Sequence, residues 1–253
     1  MSRQLGSSWA LTLSGPGFSI VAKSEFVFKF YNVRNTLAVV SSDVAAAPAT
    51  GVRQAKQARS LQKHQALLQA GRRLLDTQDL ASLSVAQLTR DAGMAVGSFY
   101  SRFDDKDAWF AELLRVTGDA VLSDTQQLLG SKRWSQATNA RKVALVVQHI
   151  VGIHREHCGI LRAALSDPAR SDIYWAPAHA YGRRIGDVVH TSLQAHMHKV
   201  PSAQRRVRIG IALQIVYGTL VNAVLHDPGP IALGDRRMEQ ELTRVFLDTV
   251  RLN

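Results

Sequence analysis

Two groups of residues in this sequence have the types and spacing to do chemistry. The first lies in the segment Leu83 to Lys106, LSVAQLTRDAGMAVGSFYSRFDDK. On an α-helix turning about 100° per residue, Phe103 stays on the same inner face as Phe99. Gly97, Ser98, Ser101 and Arg102 are then expected to turn outward. A face of small, hydroxylated and cationic side chains can sink into a DNA groove, where hydroxyls and guanidinium groups bond phosphates or base edges. The second group is His154, His157 and Cys158. His154 and Cys158 stand four positions apart, a spacing that can chelate a metal on one helix face. No cysteine or acidic cluster elsewhere completes a coordination shell, so satisfied or pocket-lining histidines are the better reading. Neither a metal nor a cofactor is expected.

Either kind of chemistry needs helices to hold it, and the hydrophobic pattern supplies them. Leu61, His64, Leu67, Leu68, Gly71, Leu74 and Leu75 recur at three and four, which predicts an amphipathic helix. Ser84 and Gln87 form a capping-box pair that starts a short second helix, and Gly93 ends it. A second short helix is expected from Val96 to Phe103, with Leu88, Ala92, Met94 and Phe99 as the core between the two. Two short helices joined by a glycine turn are the helix-turn-helix arrangement, in which the second enters the major groove. Asp104 and Asp105 then cap a long helix to about Leu129, with Trp109, Phe110, Leu113, Leu114 and Val121 on or near its buried side. Further helices are expected at about 139–158, 175–198, 204–226 and 235–251. Pro168, Pro177, Pro201, Pro228 and Pro230 sit at or near their junctions.

No period-two pattern appears after residue 52, so the fold class is all-α. The expected organisation is a poorly ordered extension over 1–52, an N-terminal helix-turn-helix domain of three helices over 53–106, and a C-terminal helical ligand-binding and dimerisation domain over 107–253.

Charge agrees with a polyanionic partner. The formal net charge is +11, and Arg53, Lys56, Arg59, Lys63, Arg72 and Arg73 run without an intervening acid just ahead of the motif. The single cysteine rules out an internal disulfide framework. No run of eighteen apolar residues and no signal peptide is read, so no membrane partner and a cytoplasmic location are expected. Paired carboxylates, a phosphate-binding glycine loop, GxSxG and a defensible Ser/His/Asp spacing are all absent, so an enzyme is not expected.

AGMAVGSFYSRFDDKDAW resembles the signature of the TetR family of regulators. Ala92, Gly93, Gly97, Tyr100, Phe103 and Lys106 match an Ala-Gly turn, a Gly-x-x-Tyr-x-x-Phe helix and the lysine that starts the next helix. The likeness covers residues 59 to 115. It implies that Tyr100 and Lys106 contact phosphates and that Ala95, Val96, Gly97, Ser98, Ser101 and Arg102 line the groove. Two positions depart from the pattern. Ala95 stands where Ser or Thr usually caps the recognition helix, and Thr89 replaces an alanine, so its hydroxyl needs a backbone partner.

The resemblance further implies a homodimer built on the last two long helices, with Gly210 and Gly218 permitting close approach and Ile211, Ile215 and Val221 in contact. Two-fold symmetry implies a pseudo-palindromic double-stranded DNA operator, and release by a small-molecule effector makes the protein a repressor. The residues named for the pocket are His154, His157, Cys158, Trp175 and Tyr217, with Tyr174, Tyr181, Gln214 and Asn222 as further aromatic and polar candidates. An activator and an architectural DNA-binding factor that docks a protein are the competing readings. An internal apolar cavity favours the sensor over the docking factor.

Overall fold

The computed structural model describes residues 58–167, 171–198 and 200–251, and the expected extension over 1–52 lies outside them. The helices are α1 (Ala58–Leu75), α2 (Val85–Asp91), α3 (Val96–Tyr100), α4 (Lys106–Gly130), α5 (Lys132–Ser135), α6 (Asn139–Glu156), α7 (Cys158–Leu165), α8 (Ala176–Gln194), α9 (Ser202–Leu225) and α10 (Arg236–Val250). A π-helical turn, Ser171–Trp175, leads into α8. No strand occurs among the described residues, and the fold is all-α.

Local signals set the ends of the short helices. Ser84 accepts from the Gln87 amide while the Gln87 side chain accepts from the Ser84 amide, which completes the capping box of α2. Gly93 then turns the chain at φ +67, a conformation that a side chain would strain. Asp105 accepts from Ala108 N at 2.7 Å and starts α4. Ala95 makes no side-chain cap at the start of α3. The Thr89 hydroxyl donates to Val85 O at 3.0 Å, satisfying it inside α2.

Two apolar cores form. Leu67, Leu75, Leu83, Leu88, Phe99, Phe103, Trp109 and Phe110 make the first, and Ile160, Ala163 and Ala164 of α7 together with Tyr174 belong to it. The second gathers Val121, Val143, Val147, Ile150, Val189, Leu213, Val216 and Phe246 from α4, α6, α8, α9 and α10. The first core therefore crosses the boundary expected at residue 107. Half of α4, α7 and the π-turn are packed into the helix-turn-helix unit of α1–α3, the reader.

The helix expected over 139–158 is interrupted. His157 leaves helical geometry at φ −112 and ψ 21, and the chain restarts as α7. The change of direction lets Ile160 and Ala163 reach the reader core. It also places Arg162, whose NH2 donates to Leu75 O at 3.0 Å, against the last turn of α1, where cations favour unpaired carbonyls. Arg72 reaches Glu156 at 2.7 Å beside it. Helix α9 is long and apolar enough by composition to span a bilayer. Here that composition serves two faces, with Ile209, Leu213 and Val216 in the core and Val207, Ile211 and Ile215 exposed.

Candidate nucleic-acid interface and ligand cavity

The recognition helix is pinned from behind by Phe99 and Phe103, both fully buried, and Phe99 packs edge-on against Tyr100. Its outer surface carries Ala95, Val96, Gly97, Tyr100 and Ser101, all exposed, with Ser98 half-buried. Val96 is 43% and Tyr100 is 50% exposed. Large apolar and aromatic side chains left open on a helix this short fit a surface that a partner covers. Arg90, at the end of α2, is exposed on the same domain.

Two cations expected at the DNA face are placed differently. Arg102 is only 9% exposed. Its NH1 donates to Ser98 O and Ser101 Oγ, both at 2.8 Å, and its NH2 to Ser60 Oγ at 3.3 Å. It ties the end of α3 to the start of α1 instead of pointing outward. The outward expectation misplaced Arg102, which falls only about 60° from Phe99 on a 100° helix. Lys106 Nζ lies 2.7 Å from Leu80 O, 3.2 Å from Ala81 O and 2.9 Å from Leu83 O. An ammonium has three donors, and here it grips three carbonyls of the connection between α1 and α2. Lys106 is thus placed as a strut, in contrast to the outward phosphate cation expected of it.

The second site is a partly open cavity of about 140 Å³ lined by α4, α6, α7, α8, α9 and the π-turn. His154, His157, Trp175 and Tyr217 line it, as does Tyr181. Cys158, the fifth residue named for this pocket, does not line it, because the break at His157 carries it to the start of a new helix. Tyr174, Gln214 and Asn222 also lie off the lining. Tyr174 is instead a core residue, edge-on to Phe110 and donating to Asp107 at 2.7 Å. No cluster of three metal-ligating side chains occurs among the described residues.

His154 is buried, and its Nδ1 donates to Ile150 O at 2.8 Å. Burial pushes this imidazole down to about 4, so it is neutral at physiological pH. His157 is shifted downward by burial and then by the nearby Arg72 charge. At the mouth, Trp175 stacks on His179, and Arg183 NH1 lies 2.8 Å from His179 Nδ1.

A polar line runs from this cavity to the reader. The Tyr181 hydroxyl donates to Asp119 Oδ1 at 2.6 Å, and Arg115 NH1 donates to Asp119 Oδ2 at 2.8 Å. Arg115 also grips Glu112 through Nε at 2.7 Å and NH2 at 2.8 Å. Glu112 Oε1 finally meets His64 Nε2 of α1 at 3.3 Å. Burial raises the Glu112 carboxyl, but hydrogen bonds from Arg115 and His64 outweigh it and hold the group at about 2. Burial, then the bond to Asp119, pushes the Tyr181 phenol up to about 12. Sequence reasoning missed this line. The spacing of Glu112, Arg115 and Asp119 was visible as ion pairs along a helix, but nothing in it told that Glu112 is buried or that His64 and Tyr181 come to its two ends.

Comparison with known proteins agrees with the architecture. Residues 67–113 match the family model for bacterial regulatory proteins of the tetR family. Residues 140–248 match the tetracyclin repressor-like C-terminal domain. No curated protein sequence matches the chain. Among solved structures, a Mesorhizobium loti protein assigned to the TetR-family transcriptional regulators is similar at 16% identity and TM-score 0.59, covering 77% of this chain and 96% of its own. A TetR-family regulator from Streptomyces coelicolor is similar at 15% identity and TM-score 0.58, over 76% of this chain and 80% of its own. The fatty acid degradation regulator FadR from Bacillus halodurans shares the fold at 14% identity and TM-score 0.52, over 77% and 97%. With both halves matched by the family's models and the fold shared along most of the chain, this protein belongs to the TetR family of bacterial transcriptional regulators.

Proposed function

We propose that this protein is a cytoplasmic repressor that binds a pseudo-palindromic operator as a homodimer and leaves it when a small molecule occupies the cavity behind α4. The observation that carries the reading is the continuous line Tyr181, Asp119, Arg115, Glu112, His64. One end lines the cavity and the other sits on α1, where His64 packs 5.3 Å from Phe103 at the base of the recognition helix. A switch needs an effector with different affinity for two states. A molecule that displaces Tyr181 disturbs charges on α4 and, through Glu112, the seat of α3. Ala95, Val96, Gly97, Ser98, Tyr100 and Ser101 form the reading surface in this proposal, with Tyr100 donating to a phosphate.

The exposed row Val207, Ile211 and Ile215 on α9 supplies the dimer contact, since apolar side chains at four-residue spacing make one stripe that a second copy covers. A concave, largely apolar cavity of this kind favours a sensor over an architectural factor that docks a protein. The C-terminal domain's likeness to a repressor favours repression over activation.

The test is selection of bound fragments from random duplex DNA, followed by a small-molecule screen for release. A two-fold symmetric site released by a compound that binds the cavity supports the proposal. Recovery of DNA with no symmetry removes the operator, and failure of every compound to release it removes the switch. Tyr181→Phe, which removes the bond to Asp119, should then bind the selected site about tenfold more weakly without any compound, the effect of about 1.4 kcal/mol.

A further inference from the structure

The cavity's own chemistry narrows what it takes. Its volume, about 140 Å³, is close to that of an apolar protein cavity of about 150 Å³ that accepts a single benzene ring. Leu114, Val121, Ile153, Ile160, Leu161 and Ile185 supply apolar walls, and Trp175, Tyr181 and Tyr217 supply aromatic faces. No aspartate or glutamate lines it among the described residues, so nothing there neutralises a cation. The one arginine, Arg183, is exposed at the mouth.

Among the polar groups that line it are two imidazoles, His154 and His157, three positions apart. His154 Nδ1 is 2.8 Å from a carbonyl oxygen and must carry the ring proton. Its Nε2 is then an acceptor. His157 is only 8% exposed, and its Nδ1 is buried with no hydrogen-bond partner. A bare lone pair is a lesser penalty there than an orphaned N–H, which places the proton of the neutral ring on Nε2 as a donor. The pair therefore offers one acceptor and one donor. A carboxylate would lose its hydration in a largely apolar space, whereas a hydroxyl satisfies both imidazoles.

We propose that the cavity binds an uncharged molecule of about one ring in size that carries a hydroxyl, a phenol above all, with the hydroxyl donating to His154 and accepting from His157. This rests on the reading of the cavity as the effector site.

The experiment is calorimetric titration of the full chain at pH 7.5 with phenol, toluene and benzoate. Phenol should bind at least about tenfold tighter than either. His157→Phe, which keeps an aromatic ring at the position, should lower phenol to the affinity of toluene while toluene still binds. Equal binding of toluene and phenol in the native protein, tighter binding of benzoate, or no binding of phenol overturns the assignment without need of a variant. A parallel anisotropy titration on a selected operator duplex separates the two readings. Phenol binding without DNA release leaves the ligand class standing and removes the effector role. Release by benzoate, with no binding of phenol, leaves the effector role and overturns the ligand class.

Discussion

Lys106→Met separates a cation that holds DNA from one that holds the protein. The ammonium sits 2.7, 3.2 and 2.9 Å from the carbonyls of Leu80, Ala81 and Leu83, so methionine keeps most of the stem and removes three charge-assisted bonds. Hydrogen bonds to charged groups contribute about 1.5–3 kcal/mol when buried. Lys106 is only half-buried and water can replace part of what is lost, so the expected total is about 2–3 kcal/mol. At about 2–4 °C per kcal/mol for a chain of this size, the melting midpoint should fall by about 5–10 °C. A phosphate contact instead contributes about 0.9 to the slope of log affinity against log salt. Lys106→Met should therefore leave that slope unchanged on random-sequence duplex while lowering the melting midpoint. The assay is fluorescence anisotropy across a salt series, paired with thermal melting followed by circular dichroism. A slope reduced by about one unit per protomer, with an unchanged melting midpoint, would refute the strut and restore Lys106 to the DNA backbone.

Three further outcomes follow from the geometry. A Cβ at Gly118 would come within 2.4 Å of the Tyr181 ring, so Gly118→Ala should cost about 1–3 kcal/mol through overpacking, read as a lower melting midpoint; an unchanged midpoint would mean that α4 and α8 are not in close contact. His154 is held at about 4 against an ordinary 6.5, so the unfolded chain takes up its proton first as pH falls. Its contribution, about 3 kcal/mol, is complete above pH 6.5 and is lost between pH 6.5 and 4. Urea unfolding across that range should be flatter in His154→Leu, and equal slopes would contradict the burial. Ile211, 46% exposed on the α9 stripe, gives a monomer in sedimentation velocity when changed to glutamate, with helical content retained; a stable dimer would place the interface elsewhere.

The reader domain was legible in the sequence because its determinants are local. The reciprocal Ser84–Gln87 cap, the turn at Gly93, the Asp105 cap and the buried spacing of Phe99 and Phe103 each act within a few residues, and a helical period reports them directly. The same locality picked out His154, His157, Trp175 and Tyr217, because aromatic and imidazole groups on inner helix faces tend to border whatever space the bundle leaves. Contacts between residues distant in the chain were decided only by tertiary packing. Arg102 leaves α3 on its inner side, and only the packing of α1 gives it Ser60, 42 positions earlier, as a partner. Lys106 lost its outward direction to carbonyls 23 to 26 positions away. The break at His157, which removed Cys158 from the cavity lining, follows from where α7 must turn to fill the reader core. The line from Tyr181 to His64 joins α8, α4 and α1. A period along one helix fixes which way a side chain leaves its own axis; a long, flexible charged side chain goes where other segments present its partners, and only the packed fold sets those positions.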